Sequence, residues 1–519
     1  MKRRNFLQTT SAVGLPLLLN GMSLSAIARP SFFNNGNGSS DRVLVLIQLN
    51  GGNDGLNTLV PLDQYDQLAN VRSNILLPQN SLLPLVDNLA LHPNMSGIKS
   101  VFDNAQATFV QSVGYPNQNR SHFRSTDIWT TGSAADEIIT SGWVGRYLDD
   151  QFPGFPEAYP NEDCPDPFAI SLDNIVSETC QGIGGNFSMA FTDPFSLTSI
   201  SEGTDTPLPD NHYGTQLAFL RQSIVQSNAY SGVITDAANA GSNQVNYPAD
   251  NNLANRLKTV VQLISGGLQT SIYVVNIGGF DTHADQVAAG DPTQGIHANL
   301  LAELSEAVKL FMDDLKLQGL DERVIAMTFS EFGRRIRSND SLGTDHGTAA
   351  PMMLFGSCVN PGILGDNPEI SRDVTVQEGI PMQFDFRSIY GSILMDWFEV
   401  PESKVKTLLY NEFQYIPVLR LCQATTSTKD LDSFGESIVS YNFPNPFRDW
   451  TTIAFESKGE WVRLSIFDDL GHEIKVLSNR QFPAGEHQIR FDSHGLPPGH
   501  YYYRIQTANR QKTKLMVKI

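Results

Sequence analysis

The side chains of this sequence that could do chemistry fall into five short polar clusters. They are Asn50–Gly55, Asn119–Arg124, Gly278–His283, Ser330–Arg335 and Thr344–Gly347. Together they contain carboxylates, imidazoles and a serine hydroxyl. Carboxylates and imidazoles bind divalent metals, and a hydroxyl held beside a metal can act as a nucleophile. The clusters therefore predict a metal-dependent catalytic site.

Each candidate residue has an expected role. The candidate metal ligands are Asp54, Asp281, His283, Glu331, Asp345 and His346. Ser121 is the candidate nucleophile, with Arg120 and His122 beside it as further catalytic residues. Arg124 and Arg334 are candidates for binding an anionic substrate, because a guanidinium group is a planar donor that suits phosphate or sulfate oxygens.

Ordinary structural roles are also open to these residues. Asp54 could cap a glycine-rich turn, and Ser121 could be a helix N-cap. The Asp281 segment could form an Asx turn, and Asp345 could pair with a nearby arginine. The prediction of a site therefore depends on the clusters lying together, and not on any single motif.

The elements that would position the clusters are buried strands. Continuous apolar runs occur at Val43–Leu49, Thr108–Val113, Ser271–Ile277, Arg323–Phe329 and Pro351–Phe355. Runs of this kind indicate strands that are covered on both faces. Four clusters follow the first four runs, and the fifth cluster leads into the last run. Ligands bind at the carboxyl ends of parallel strands, so the clusters are expected at one edge of the sheet.

Helical periodicity separates these runs. Asn252–Ile264, Ile296–Leu317 and Phe386–Phe398 place apolar residues three and four apart. Strands alternating with helices predict an α/β domain over residues 42–422, with a mostly parallel sheet sandwiched by helices. Residues 150–250 are less regular and are expected to form an insertion, with one helix around Tyr213–Gln226.

The C-terminal part has a different character. Residues 423–436 read as a polar linker. Short alternating runs then occur at Thr452–Phe455, Val462–Phe467, His487–Phe491 and Tyr501–Gln506, and they predict a small β-sandwich over residues 437–519. A carbohydrate-binding or adhesive role for this sandwich is disfavoured, because no exposed aromatic platform is evident in the sequence.

Composition limits the partners. The 519-residue chain has a formal net charge of −19, which argues against nucleic acid and anionic membrane surfaces as partners. No segment is apolar for long enough to predict a transmembrane span. Cys164 and Cys180 could form a disulfide or remain free thiols, and neither they nor Cys358 and Cys422 form a Cys-x-x-Cys pair.

The N-terminus predicts export. Residues 1–28 combine basic residues, a short apolar stretch and small residues near a cleavage site, and residues 29–41 read as a flexible lead. Arg3-Arg4 followed by Asn5-Phe6-Leu7 resembles a twin-arginine (Tat) signal, with an ordinary Sec signal as the alternative. Because Tat substrates fold before export, this resemblance also favours a cofactor acquired in the cytoplasm.

The last 80 or so residues resemble a known sorting module. Asn442–Phe447, Ser465–Gly471, Gly495–Tyr501 and Lys514–Ile519 follow in the order of the type A sorting domain of type IX secretion. This resemblance implies the type IX secretion machinery as a partner, and the resemblance at the N-terminus implies the Tat machinery. Together they place the protein first in the periplasm, and then in the medium or on the outer cell surface.

The five polar clusters resemble domain-of-unknown-function family 1501, which is similar to the alkaline phosphatase and sulfatase superfamily. The resemblance implies an alkaline-phosphatase-like fold, a divalent metal (zinc, manganese or calcium) and a Ser nucleophile at Ser121. In one alignment Phe332 stands where the superfamily has a histidine ligand. In the other, Asp345-His346 is the Asp-His pair and the last histidine is missing. Either way one ligand is not accounted for unless His122 replaces it. The implied function is hydrolysis of phosphate or sulfate esters of a small molecule or glycan. The alternative is a non-catalytic surface or envelope binding protein with a degenerate site.

Overall fold

The computed structural model of the chain describes residues 41–197, 212–420, 440–468, 473–507 and 511–518. The expected signal at residues 1–28, the lead up to residue 40 and the expected linker at residues 423–436 lie outside the described residues.

The strands of the α/β part come first along the chain. They are β1 Val43–Asn50, β2 Leu59–Pro61, β3 Leu83–Val86, β4 Leu89–Leu91, β5 Ala107–Gly114, β6 Ala169–Ser171, β7 Ser188–Ala190, β8 Ile272–Gly278, β9 Val324–Phe329, β10 Ala350–Phe355, β11 Gly362–Leu364 and β12 Phe384–Asp385.

The helices lie between these strands and after them. They are α1 Gly55–Thr58, α2 Tyr65–Val71, α3 Ser96–Asp103, α4 His122–Thr131, α5 Trp143–Gln151, α6 His212–Ala240, α7 Asn252–Ser265, α8 Ile296–Leu317, α9 Phe386–Asp396 and α10 Glu402–Leu408.

One large sheet organises the α/β part. Its strand order is β11-β5-β10-β9-β1-β8-β6-β7, and β12 also pairs with β5. Strand β1 is parallel to both β8 and β9, whereas β10 is antiparallel to β9 and to β5. The expected mostly parallel sheet is confirmed, and β10 is the strand that runs the other way. A separate small sheet has the order β2-β4-β3.

Both faces of the large sheet are buried, which explains why its strands read as continuous apolar runs. Side chains of β1 alternate between two cores: Val45 and Ile47 belong to one, and Leu44 and Leu46 belong to the other. The first core includes residues of α3, α7 and α8, and the second includes residues of α4, α5 and α9. The expected arrangement of helices on both faces is therefore present.

The described residues at 150–197 and 212–250 form more helix and strand than their composition suggested. They supply β6 and β7, which extend the large sheet beside β8. Helix α6 runs on to Ala240, well beyond the expected helix around Tyr213–Gln226. Strands of three residues are too short to produce a detectable periodicity, which is why the sequence showed neither β6 nor β7.

The C-terminal part is a pair of antiparallel sheets, which confirms the expected β-sandwich. Its strands are β13 Ser440–Phe443, β14 Trp450–Lys458, β15 Trp461–Phe467, β16 Glu473–Gln481, β17 Ala484–Asp492, β18 Gly499–Gln506 and β19 Gln511–Lys518. The sheet orders are β13-β14-β17 and β16-β15-β18-β19. Alternate residues such as Ile453, Leu464 and Tyr503 fill the core between the sheets.

Three of the four cysteines lie among the described residues. Cys164 and Cys180 are both free thiols, so the disulfide considered for the short loop between them is not formed. Cys358 is disulfide-bonded, and Cys422 lies outside the described residues.

Among the described helices, none combines the length and apolar character needed to cross a membrane.

Candidate metal centre

The candidate site lies at one edge of the large sheet. Strands β1, β8 and β9 run in the same direction and end at this edge. Because β10 is antiparallel, the residues that precede it lie at the same edge. The loops that contain Asp54, Asp281, Glu331 and His346 therefore meet, as the strand-end placement predicted.

Arg334 holds these loops together. Its side chain is fully buried, and it donates hydrogen bonds to the carbonyl oxygens of Gly52 (2.7 Å), Phe280 (2.7 Å) and Thr344 (2.9 Å), and also to that of Gly51. It also donates to Asp281 Oδ1 at 2.8 Å. Its donors are thus directed to groups of the protein itself, and not to an anionic substrate as expected.

Close backbone contact also shapes this edge. Gly51 has a φ of 119°, and a Cβ placed there would lie 2.3 Å from the backbone nitrogen of Asp281. Gly52 has a φ of 88°, and a Cβ there would lie 2.5 Å from the ring of Phe332. Only glycine avoids both the strained backbone and the contact at these positions.

Asp281, His283 and His346 form the exposed side of the site. Asp281 Oδ1 lies 3.1 Å from the Nε2 atoms of both histidines, and the two Nε2 atoms are 2.9 Å apart. Burial alone would raise the pKa of the Asp281 carboxyl, but interactions led by the hydrogen bond from Arg334 lower it to about 2. Asp281 is therefore an anion at neutral pH.

His122 completes the group from the first turn of α4. Its Nε2 lies 3.4 Å from Asp281 Oδ2, yet this buried nitrogen has no hydrogen-bond partner among the described residues. One ligand atom from each of His122, Asp281 and His346 lies within 4.8 Å of the others, a spacing that could hold a metal ion.

The outer nitrogens of the three imidazoles all meet acceptors. His122 Nδ1 lies 2.8 Å from Glu331 Oε1, and His283 Nδ1 lies 2.9 Å from Asp345 Oδ1. His346 Nδ1 lies 2.8 Å from the carbonyl oxygen of Arg120. A carbonyl or carboxylate oxygen only accepts, so we assign the proton of each neutral ring to Nδ1. Each Nε2 then carries a lone pair directed towards Asp281.

Glu331 and Asp345 thus lie behind the histidines. Glu331 is buried and also accepts a hydrogen bond from the backbone nitrogen of Gly51 at 2.8 Å. Asp345 also accepts from Arg335 Nη1 at 3.0 Å. Both were expected as metal ligands. The structure places each next to a histidine Nδ1, where a carboxylate orients the ring.

Phe332 packs beside two of the imidazoles. Its ring is fully buried and packs against His122 and His346, with centroid distances of 4.9 Å and 4.6 Å. An apolar ring thus supports two of the imidazoles, and it offers no ligand atom.

Asp54 is engaged in a separate buried ion pair. Its Oδ2 lies 2.9 Å from Arg72 Nη1 and accepts from Gln286 Nε2 at 2.7 Å. Its Oδ1 caps α1 by accepting from the backbone nitrogen of Leu56. Burial would raise the pKa of Asp54, but the charge of Arg72 lowers it. The sequence showed no sign of Arg72, because nothing in local spacing links residues 54 and 72.

Ser121, the candidate nucleophile, is exposed, whereas Arg120 and Arg124 donate hydrogen bonds to other groups of the protein. Ser121 is the exposed N-cap of α4, and its side chain makes no capping hydrogen bond. Arg120 donates to the carbonyl oxygen of Gln377 at 2.8 Å. Arg124 donates to Asp127 of the same helix and to the carbonyl oxygens of Ala134, Ala135 and Glu137, which follow that helix.

Solved structures with some similarity to this chain include a protein in the alkaline phosphatase superfamily, a sulfatase and a phosphonate monoester hydrolase. A protein in the alkaline phosphatase superfamily from Vibrio parahaemolyticus is 10% identical, with 63% of each chain covered and a TM-score of 0.31. A sulfatase from Pseudoalteromonas sp. is 11% identical, with 87% of this chain and 83% of that chain covered and a TM-score of 0.32. A phosphonate monoester hydrolase from Silicibacter pomeroyi is 9% identical, with 92% and 89% covered and a TM-score of 0.33.

A fourth match involves a secretion component. PorZ of Porphyromonas gingivalis, a surface component of the type IX secretion system, is 22% identical, with a TM-score of 0.13, over 15% of this chain and 11% of that chain. The chain spans less than two thirds of both PorZ and the Vibrio protein. No curated protein matches the chain.

Two segments match sequence families. Residues 237–388 match a family described as a protein of unknown function, DUF1501, and include six of the expected site residues: Asp281, His283, Glu331, Arg334, Asp345 and His346. Residues 442–518 match the secretion system C-terminal sorting domain, which indicates export by the type IX machinery and attachment at the cell surface. The chain is therefore similar to DUF1501 over residues 237–388 and to the secretion system C-terminal sorting domain over residues 442–518.

Proposed function

We propose that His122, His283, His346 and Asp281 bind one divalent metal ion. The observation that carries this proposal is the shared arrangement of the imidazoles, in which each Nδ1 meets an acceptor and each Nε2 is directed towards Asp281. Lone pairs on the Nε2 atoms of His283 and His346, 2.9 Å apart, repel each other unless a cation or a proton lies between them. The buried, unpartnered Nε2 of His122 supports the same conclusion.

The donor set favours zinc among the three metals expected. Three imidazole nitrogens and one carboxylate oxygen match the ligands that zinc prefers. Calcium takes six to eight oxygen ligands, and manganese also favours oxygen. Asp54 is left out of this set, because Arg72 and Gln286 already satisfy its carboxylate.

Metal analysis of the purified full chain tests the proposal. We expect about one equivalent of zinc by elemental analysis, in keeping with a single four-ligand site. His122→Ala and His346→Ala should each lose most of it. His494→Ala is the matched control, since that histidine is 80% exposed on the sandwich. A wild-type chain that retains no metal and binds no added zinc in calorimetry would contradict the proposal.

We further propose that the centre hydrolyses a phosphate or sulfate ester with Ser121 as the nucleophile. A bound divalent metal supplies Lewis acidity that stabilises negative charge on the substrate. Ser121 supports this role because its exposed hydroxyl lies directly before His122 and makes no capping hydrogen bond. The N-terminal end of the ten-residue helix α4 favours an anion beside that hydroxyl.

The test of catalysis separates chemistry from metal binding. Ser121→Ala should abolish turnover of a panel of phosphate and sulfate monoesters, while the zinc content stays unchanged. Asn119→Ala serves as a neighbouring control, since the Asn119 side chain accepts from the Ser121 backbone nitrogen without offering a nucleophile. Full activity in Ser121→Ala would rule out this mechanism.

One observation favours the second candidate function, a non-catalytic surface protein with a degenerate site. Arg124 and Arg334, the residues expected to bind substrate oxygens, both direct their donors to groups of the protein. Metal binding without turnover of any ester in the panel would favour this alternative.

We also propose that the chain crosses the inner membrane by the Tat route before the type IX machinery carries it to the surface. The support is the Arg3-Arg4 motif and its similarity to Tat signals. Replacing both by lysine should abolish export from the native cells. Unchanged export would show that the signal is of the Sec type.

A further inference from the structure

A cavity lies on the outward face of the four-stranded sheet of the sandwich. It has a volume of about 550 Å³ and is lined by residues of β15, β18 and the turn after β18: Trp461, Arg463, Ser465, Phe467, Arg504, Gln506 and Thr507. Val462, Leu464 and Ile466 of β15 point the other way into the core. The cavity is thus formed by the alternate residues of β15 that face away from the core.

Trp461 gives the cavity an exposed aromatic wall. The side chain is 58% exposed, and its Nε1 donates to Asn479 Oδ1 on β16 at 2.8 Å. This hydrogen bond fixes the orientation of the ring and leaves a flat apolar face uncovered. Trp461 is an isolated aromatic residue in the sequence, so no aromatic platform was evident there. In the fold, β15 and β18 bring it beside the other residues that line the cavity.

Two guanidinium groups line the cavity. Arg504 lies over the ring of Phe467 with its guanidinium carbon 4.3 Å from the centroid, and Arg463 Nε donates to Ser465 Oγ at 3.2 Å. Residues 440–519 contain eleven Lys and Arg against eight Asp and Glu, in a chain whose formal net charge is −19. The sandwich is therefore locally suited to an anionic partner.

Polar groups that could bind hydroxyls lie in the same cavity. Gln506 is exposed, and Thr507 Oγ1 is buried without a hydrogen-bond partner among the described residues. A buried hydroxyl with no partner indicates a missing polar neighbour. An apolar ring, two guanidinium groups and hydrogen-bonding groups in one cavity match a sugar ring that carries an acidic substituent.

We propose that this cavity binds an acidic polysaccharide. The Trp461 face packs on a sugar ring, Arg463 and Arg504 bind its carboxylate or sulfate groups, and Thr507 bonds a hydroxyl. A peptide strand added to the sheet is disfavoured, because the cavity lies over β15 and β18, which are flanked by β16 and β19. The proposal is independent of the metal centre.

Binding of the full chain to polygalacturonate, measured by affinity electrophoresis, tests the proposal. Neutral dextran is the uncharged comparison. Trp461→Ala should weaken binding about tenfold, which corresponds to the roughly 1.4 kcal/mol of an aromatic contact. Arg504→Gln should weaken it as well and should reduce its salt dependence.

Trp450→Ala is the matched control. Trp450 is 40% exposed and lies on β14 in the other sheet, with Arg490 4.3 Å from its ring centroid, but it does not line the cavity. The affinity of Trp450→Ala for polygalacturonate should stay within twofold of the wild-type affinity. The proposal is overturned if the wild-type chain does not bind polygalacturonate, if dextran binds equally well, or if both tryptophan variants lose the same affinity.

Discussion

The three histidines of the candidate centre differ in position along the chain but share one pattern of hydrogen bonds. His122 and His283 pair with the carboxylates of Glu331 and Asp345, and His346 pairs with a backbone carbonyl. Acceptors of this kind fix the tautomer and raise the basicity of a metal-binding imidazole. In the proposed metal site, the histidines would therefore bind the metal and the two carboxylates would orient them.

Glu331→Gln tests this assignment. Glutamine can keep the hydrogen bonds from His122 Nδ1 and the Gly51 nitrogen, but it removes the negative charge next to the imidazole. We expect zinc affinity to fall roughly 10- to 100-fold. A competition titration against a chelator measures the change. Glu399→Gln is the control, because that side chain is 74% exposed. An affinity within twofold of the wild type would show that the charge of Glu331 does not matter.

At the scale of elements, the direction of β10 decides where the last candidate residues lie. Strand β10 is antiparallel to β9, so the loop before it reaches the edge at which β1, β8 and β9 end. A parallel β10 would have placed Asp345 and His346 at the opposite edge. The site thus depends on the large sheet remaining intact, and the centre of that sheet is β1.

Leu46→Ala tests the contribution of β1 to stability. Leu46 is fully buried in the core that includes residues of α4, α5 and α9. Removing its side chain leaves a cavity, so we expect the free energy of unfolding to fall by about 2–5 kcal/mol. Urea unfolding followed by tryptophan fluorescence measures the change.

Leu317→Ala provides the comparison for this experiment. Leu317 closes α8 and is 66% exposed, so its truncation should change the free energy of unfolding by less than about 0.5 kcal/mol. Equal effects of the two substitutions would mean that β1 does not lie at the centre of the folded core.

At the scale of the whole molecule, the sandwich and the α/β part share a half-buried polar contact. Lys514 on β19 lies 4.5 Å from the ring centroid of Tyr415, and the Tyr415 hydroxyl donates to Asp396 Oδ2 at 2.7 Å. Lys514 also donates to the carbonyl oxygen of Ser440. Burial lowers the pKa of Lys514 to about 8 and raises the pKa of Asp396 to about 6. Charge at this contact is therefore costly and sensitive to pH.

Asp396→Asn should remove a defined part of the pH dependence of stability. Burial raises the pKa of Asp396 from 3.8 to about 6, against the opposing effects of Tyr415, Lys514 and Arg42. The folded state thus binds this proton more tightly than the unfolded state. Stability contributed by the protonated form is present below pH 4 and is lost as the pH rises through about 6.

The measurement compares urea midpoints of the wild type and Asp396→Asn from pH 4 to pH 7. Relative to the wild type, the variant should gain about 3 kcal/mol across this range. Asp103→Asn, which alters a carboxylate that is 54% exposed, should show no such trend. A constant difference between wild type and Asp396→Asn at every pH would contradict the raised pKa.

Much of the architecture was predictable from local patterns. Continuous apolar runs identified β1, β5, β8, β9 and β10, because strands buried on both faces have no polar side. Alternating runs identified β14, β15, β17 and β18 of the sandwich, because one face of each sheet is open to solvent. The three-residue strands β6 and β7 were missed, since a period of two residues cannot be recognised over so short a length.

The sequence by itself determined which residue types gather at the sheet edge, because each cluster adjoins a strand end. Tertiary structure alone decided how those residues divide their roles. Asp54 pairs with Arg72, Arg334 joins loops, and His122 turns its Nε2 towards Asp281. Hydrogen-bond partners depend on side-chain directions and distances between segments far apart in the chain, and spacing along a sequence contains neither.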